Sequence, residues 1–511
     1  MIRRTLSTRS GRRCLRGSSA IHGRLATLVV LTLAFSTPAV AQPSFDYHRP
    51  TQQLVERGTQ AFMICNGLFT SGRTLDQIYR QELRLNMMPV LPPTEVEIDK
   101  EARTVTVGVA GNDSVPVMRA AYRDGFGCMT LSPAQTFADL GELPSMPETP
   151  FAGDAETIPW PDGDLVAEEP LPSEIDAAAL QAASDWAFDR ETHGHTSQIT
   201  ASVLVVHRGR IVHERYAEGF DRTTRTRTWS TAKSLAATLI GLRIAEGELE
   251  LDQPLAFDDW GPVTGPDDPR RQITLRNALH MATGLYPIDN DRCAVTGSCL
   301  SYWAGDSSVA GSLDRGAVRA PGVHWDYENY DTLLAVRAFE KSFASQADYH
   351  AYARTALFEK IGMRSTMPGV DRFGHFILSS QVYTNARDLA RMGLLHLWRG
   401  QWDGEQILPE SWVDFVRTPA PSTKDSGAFY GGQWWLVPDD RTDIPADAYS
   451  TAGNRGQYTV VVPSHDLVIV RRGLDWLPGM FRFSQWDLTR EVLKAFPKQP
   501  AGEKPSVDSD R

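Results

Sequence analysis

An α+β fold is what this sequence of 511 residues predicts, on three observations. Two β-rich runs, 201–206 and 211–216, are joined by Arg208-Gly209-Arg210 and read as a hairpin. A second pair, 458–462 and 467–471, flanks Pro463-Ser464-His465-Asp466 near the other end of the chain. Between these hairpins the strong patterns are helical, at 232–245, 275–281, 332–341, 349–361 and 386–398. Strands at both ends with helices between them predict one sheet, closed by distant segments and carrying a helical subdomain.

The flanking regions differ in composition. Residues 1–41 hold seven arginines and no acidic residue, then an apolar run at 25–35, then Ala39-Val40-Ala41. That order of charged, apolar and small residues is a secretory signal peptide. The apolar run is shorter than the ~20 residues a membrane anchor needs. Gly11-Arg12-Arg13-Cys14-Leu15-Arg16 leaves open Sec or twin-arginine export, and the expected location is periplasmic or secreted. Without the signal, 45 basic and 63 acidic residues remain, a formal charge of −18. Such a surface repels nucleic acid and anionic membranes, so neither is an expected partner.

Residues 42–140 read as a small α+β domain, with a helix at 52–69 and a hairpin of 94–99 with 103–109 around Lys100-Glu101. Residues 141–172 are rich in proline and acid, a linker composition. A helix then starts near Ser173 as N-cap and runs to about Phe188, opening the main domain, 173–496. Residues 497–511 read as a disordered tail. Cys14 leaves with the signal, and Cys65, Cys128, Cys293 and Cys299 remain. An oxidising compartment favours two disulfides, and of three connectivities Cys65–Cys128 with Cys293–Cys299 keeps each bond within one unit. His193-Gly194-His195 lacks further ligands at suitable spacing, so no metal and no cofactor are expected.

The chemistry is read first at Trp229-Ser230-Thr231-Ala232-Lys233, where residues 231–246 form a helix candidate ending at Gly247. Serine and lysine three apart on a helix share one face. The ammonium can stabilise an alkoxide, and a buried, neutral amine can take the hydroxyl proton. A serine at a helix N-terminus also places backbone N–H groups where an oxyanion forms. Alone the motif is weak: eight lysines produce one Ser-x-x-Lys by chance about half the time. Two further features accompany it. Tyr327-Glu328-Asn329, after the Pro321-Gly322 turn, can supply a phenol and a fixed amide; the plain alternative is a packing tyrosine. Thr451-Ala452-Gly453-Asn454-Arg455-Gly456-Gln457 is a glycine-dense strand entry that a substrate can approach closely; the plain alternative is a turn.

In this order the three elements resemble the serine β-lactamase and penicillin-binding-protein superfamily. The nearest similarity is to its class C, esterase and 6-aminohexanoate-dimer hydrolase branch. It covers roughly residues 175–495 and includes Thr283-Gly284-Leu285, the stretches 357–363 and 386–393, and Tyr430-Gly431-Gly432-Gln433-Trp434-Trp435. The resemblance implies an antiparallel sheet flanked by helices beside an all-helical subdomain. It implies Ser230 as acylated nucleophile, Lys233 as its base or charge partner and Tyr327 as proton carrier. Asn329 and Gly453 would meet the substrate, and the N–H groups of Ser230 and Asn454 would form the oxyanion hole. Many members carry Lys or His at the first position of the strand triad, here Thr451, and Arg455 is the nearby candidate to replace that cation.

The expected activity is therefore hydrolysis of a small-molecule amide or ester through an acyl-Ser230. A β-lactamase or a carboxypeptidase acting on cell-wall peptides is a second reading. A binding protein that keeps the fold without turnover is a third, from another class. Oligomeric state, and any role for 42–140, cannot be read from the sequence.

Overall fold

Residues 49–109, 115–147, 150–255, 257–260, 265, 267–289, 297–477 and 482–497 are described by the computed structural model, all within one unit that starts at Tyr47. The expected signal segment, Cys293 and the tail beyond Pro497 lie outside the described residues.

The described residues open with α1 (Arg49–Phe69), which packs on a four-stranded antiparallel sheet. Its strands are β1 (Val96–Asp99), β2 (Thr104–Val107), β3 (Met118–Arg123) and β4 (Gly127–Thr130), adjacent in that order. The first two form the expected hairpin, with Asp99 opposite Thr104. Asp99 turns it by accepting the Glu101 and Ala102 N–H groups at 2.9 Å each. The expected disulfide joins Cys65 of α1 to Cys128 of β4, with Cα atoms 6.0 Å apart. Cys299 is also disulfide-bonded.

The second sheet has six strands. They are β5 (Thr200–His207), β6 (Arg210–Tyr216), β12 (Trp435–Leu436), β13 (Tyr449–Gly453), β14 (Gln457–Val462) and β15 (Leu467–Gly473). Their spatial order is β12-β13-β14-β15-β5-β6, antiparallel throughout. The two expected hairpins meet where β15 pairs with β5, Ile469 opposite Val205, so the ends of the sequence close one sheet. A three-stranded sheet sets β9 (Val382–Thr384) between β7 (Thr226–Arg227) and β8 (Met367–Pro368), and β10 (Gln401–Trp402) pairs with β11 (Glu405–Gln406).

Five longer helices serve the large sheet and the site: α2 (Ala177–Phe188), α3 (Thr231–Ala245), α4 (Asn329–Lys341), α5 (Ala386–Leu397) and α6 (Gln485–Leu493). Alternation along β5 decides how they divide. Val203 and Val205 face Leu180 of α2 and Trp486 of α6, whereas Leu204 and Val206 face the cluster of Leu235, Leu239 and Leu389 from α3 and α5. A sheet buried on both faces explains why β5 and β15 read as continuous apolar runs.

The boundary of α2 differs from expectation. Helix α2 starts at Ala177 rather than near Ser173, because the Asp176 carboxylate accepts the Ala178 and Ala179 N–H groups. The proline-rich stretch before it is held by the body: Trp160 Nε1 donates to Gly209 O and Trp402 Nε1 to Asp162 Oδ1, both at 2.8 Å, and Arg391 Nε to Pro161 O at 2.6 Å.

Candidate active site

Ser230 stands at the N-cap position of α3, yet its side chain makes no capping hydrogen bond. The turn that delivers it is unusual. Trp229 takes φ +51°, a left-handed conformation that costs a non-glycine residue about 1–3 kcal/mol. On its other side Thr228 N donates to Val382 O at 2.8 Å, tying the turn to β9. The Arg227 guanidinium lies 3.8 Å from the Trp229 ring centroid and 4.2 Å from that of Trp303. Serine is thus held at the helix start by packing and leaves its hydroxyl available.

One turn later, Lys233 is almost wholly buried, 1% exposed. Its Nζ donates to Asn329 Oδ1 at 2.5 Å and Ser379 O at 2.8 Å, and reaches Ser230 Oγ at 3.4 Å. Burial pulls its pKa down to about 7, with Arg227 acting the same way and the charges of Asp289 and Glu328 opposing. A substantial fraction is therefore neutral amine near pH 7, the form that accepts a proton.

Tyr327 arrives from the loop before α4. Lys233 Nζ lies 5.2 Å from its ring centroid. Trp325, Tyr430 and Trp435 surround the ring, with centroids at 6.3, 6.1 and 5.6 Å. Burial raises the phenol's pKa to about 12, while hydrogen bonding with Ser230 and the charge of Arg482 act downward. The phenol is a neutral proton donor at physiological pH.

Asn329 lies at the first position of α4, beyond its cap Glu328. Both ends of its amide are engaged: Oδ1 accepts from Lys233, and Nδ2 donates to Asp289 Oδ2 at 2.7 Å and Ser298 Oγ at 3.2 Å. Asp289 is fixed in turn by the Ser298 N–H at 2.7 Å and hydroxyl at 2.8 Å. Glu328 accepts the Asp289 N–H at 3.0 Å, and burial beside that second carboxyl pushes its pKa well above the ordinary glutamate range. The amide expected to hold substrate thus orients the lysine in this geometry.

The third element borders the start of α3. A Cβ added to Gly453 would fall 2.2 Å from Thr228 O, so only glycine lets the end of β13 approach so closely. Asn454 follows, its Oδ1 accepting the Arg455 N–H at 2.9 Å, and Arg455 (φ +61°) and Gly456 (φ +80°) complete a left-handed turn. Thr451 is fully buried and accepts from Thr459 N at 2.9 Å and Thr231 Oγ1 at 3.1 Å, so it brings no charge. Arg455 does not replace the missing cation. Its guanidinium is turned into the protein, where it donates to the carbonyls of Gln81, Glu82, Arg84, Leu474 and Asp475.

Ser230, Lys233, Tyr327 and Asn329 therefore converge, with Gly453 at their edge. Sequence reasoning missed Asp289, Glu328 as a neighbour of Asp289, the Ser379 carbonyl and Arg482. None belongs to a spacing pattern: a carbonyl has no residue signature, and Asp289 and Arg482 reach the site from loops. Among the described residues no cluster of three or more His, Cys, Asp or Glu could hold a metal ion.

The 6-aminohexanoate-dimer hydrolase of Paenarthrobacter ureafaciens is 25% identical over 288 residues, 53% of this chain and 72% of that protein. Among solved structures, EstCE1, a hydrolase with promiscuous acyltransferase activity, superposes with TM-score 0.50 at 13% identity, covering 62% of this chain and 98% of that one. A putative 6-aminohexanoate-dimer hydrolase from Bacillus anthracis gives TM-score 0.49 at 20% identity, covering 58% and 81%. The Beta-lactamase family model matches residues 188–491, which hold every converging side chain, and the chain belongs to that family.

Proposed function

We propose that the protein is an exported serine hydrolase that cleaves a small-molecule amide or ester through an acyl-Ser230 intermediate. The observation that carries this reading is the buried Lys233 amine, 3.4 Å from Ser230 Oγ and with its pKa lowered to about 7. Neutral Lys233 takes the Ser230 proton as Oγ attacks the carbonyl carbon. The N–H groups of Ser230 and Asn454 receive the charge that develops on the carbonyl oxygen. Tyr327 gives its proton to the departing amine or alcohol, and Lys233 restores it. In the second step water attacks the ester and its proton leaves through the phenol, regenerating Ser230. Asn329 and Asp289 keep the amine in place throughout.

The name of the Paenarthrobacter relative supports hydrolysis. The neutral Thr451 and the inward-turned Arg455 weigh against recognition of a substrate carboxylate at the strand triad, and so favour an amide or ester hydrolase over a β-lactamase or carboxypeptidase. The Cys65–Cys128 bond supports export to a periplasmic or extracellular setting. Among the described residues no helix is long and apolar enough to cross a membrane. The division into a 42–140 domain, a linker and a 173–496 domain remains part of the proposal.

Intact-mass measurement after incubation with nitrophenyl esters, amides and a penicillin tests it. Acyl adducts on wild type and none on Ser230→Ala are expected. No adduct on wild type with any of them would favour a non-catalytic binding protein.

A further inference from the structure

The N-terminal unit lies outside the matched residues 188–491, yet it reaches the proposed oxyanion turn through one side chain. Arg455 is 3% exposed. Its Nη1 donates to Glu82 O at 2.7 Å, and its Nη2 to Gln81 O at 2.7 Å, Leu474 O at 3.0 Å and Arg84 O at 3.3 Å. Nε donates to Asp475 O at 2.9 Å. Carbonyls from two remote segments thus converge on the residue that follows Asn454. The backbone there is left-handed at Arg455, φ +61°, a conformation that a side chain without these partners would not hold cheaply. The approach is continued by a cavity lined by Glu82 and Met63 on one side and by Arg227, Trp229 and Arg455 on the other.

We infer that Arg455 is a positioning residue: by gathering the carbonyls of residues 81, 82 and 84 with those of 474 and 475, it fixes the turn that presents the Asn454 N–H to the acyl oxygen. The N-terminal unit is then part of the hydrolytic apparatus, because it supplies half of the clamp. Lysine cannot replace the planar guanidinium, since an ammonium has three donors and no fork. This inference rests on the acyl-Ser230 reading.

The test compares wild type, Arg455→Lys and Arg455→Ala with a nitrophenyl ester, and titrates Ser230 with a fluorophosphonate. With the oxyanion contact displaced, kcat falls at least ~10-fold while KM stays within about twofold, because the lost interaction belongs to the transition state. Added guanidinium partly restores kcat in Arg455→Ala. Hydrogen exchange on wild type supplies a measurement that needs no variant: the amides of 454–456 and of 81–84 open together. A folded Arg455→Lys with unchanged kcat, or turn amides that exchange independently of 81–84, overturns the clamp. Wild type that takes no label at Ser230 overturns the hydrolase reading instead, so the two failures are distinct.

Discussion

A lysine whose amine is buried beside a serine hydroxyl has two measurable consequences. Lys233→Ala and Tyr327→Phe each should lower kcat by at least ~100-fold in steady-state ester hydrolysis, the usual cost of a lost acid–base group. The second is thermodynamic. The folded-state pKa of Lys233 is depressed from 10.5 to about 7, so between those values the unfolded chain binds more protons than the folded one. Stability therefore rises as pH climbs through this window, and the burial penalty is fully present below about 7. Glu328, raised above the ordinary glutamate range by burial and by Asp289, works in the opposite direction, losing stability as pH climbs above that range. Subtracting urea-unfolding free energies of Lys233→Met from those of wild type isolates the lysine, and the difference should slope upward from pH 7 to 10. Removal of a negative charge near the amine should also be visible: Asp289→Asn lowers the Lys233 pKa further and moves the acid limb of kcat/KM to lower pH. At this scale the sequence was informative wherever chemistry follows a fixed spacing. Ser230 and Lys233 share a helix face by arithmetic. Asp289 comes from 40 residues before Asn329, and only the fold brings the two carboxamide and carboxylate groups to 2.7 Å.

Among elements, the contact between β13 and the start of α3 is a close constraint on the site. Gly453→Ala places a methyl group 2.2 Å from the Thr228 carbonyl. The strand end must retreat, with an expected loss of about 1–3 kcal/mol in urea unfolding, as for overpacked cores. A fall in kcat of at least ~10-fold accompanies it, because Asn454 moves with the strand. Both hairpins of the large sheet were legible because alternating and continuous apolar runs bounded by glycine, proline and aspartate leave few alternatives. The strands β3 and β4 were not foreseen, since Met118–Arg123 carries no alternation that a short window detects. The start of α2 was displaced by three residues for a related reason: Ser173 and Asp176 are both good caps, and the choice depends on packing further along the helix.

For the whole molecule, the segment from α1 to β4 is joined to the rest by more than chain connectivity. Phe62 of α1 packs edge-on against Trp303, centroids 5.2 Å apart, and Trp303 lies 6.2 Å from Trp229, the neighbour of Ser230. The Cys65–Cys128 bond closes 63 residues of sequence inside that segment. Its removal by Cys65→Ala with Cys128→Ala should cost about 2–5 kcal/mol in urea unfolding. Activity should fall as this segment loosens, before the large sheet melts. Nothing in the sequence announced this coupling, because Arg455 reads there as the candidate to replace the strand-triad cation, and its carbonyl partners at 81, 82 and 84 carry no residue signature.

The central claim is that neutral Lys233 activates Ser230, and the rate of fluorophosphonate labelling at Ser230 as a function of pH tests it most directly. The rate should rise with a single midpoint near pH 7 and collapse in Lys233→Ala. A rate independent of pH, a midpoint near that of an ordinary lysine, or label on another residue would contradict it.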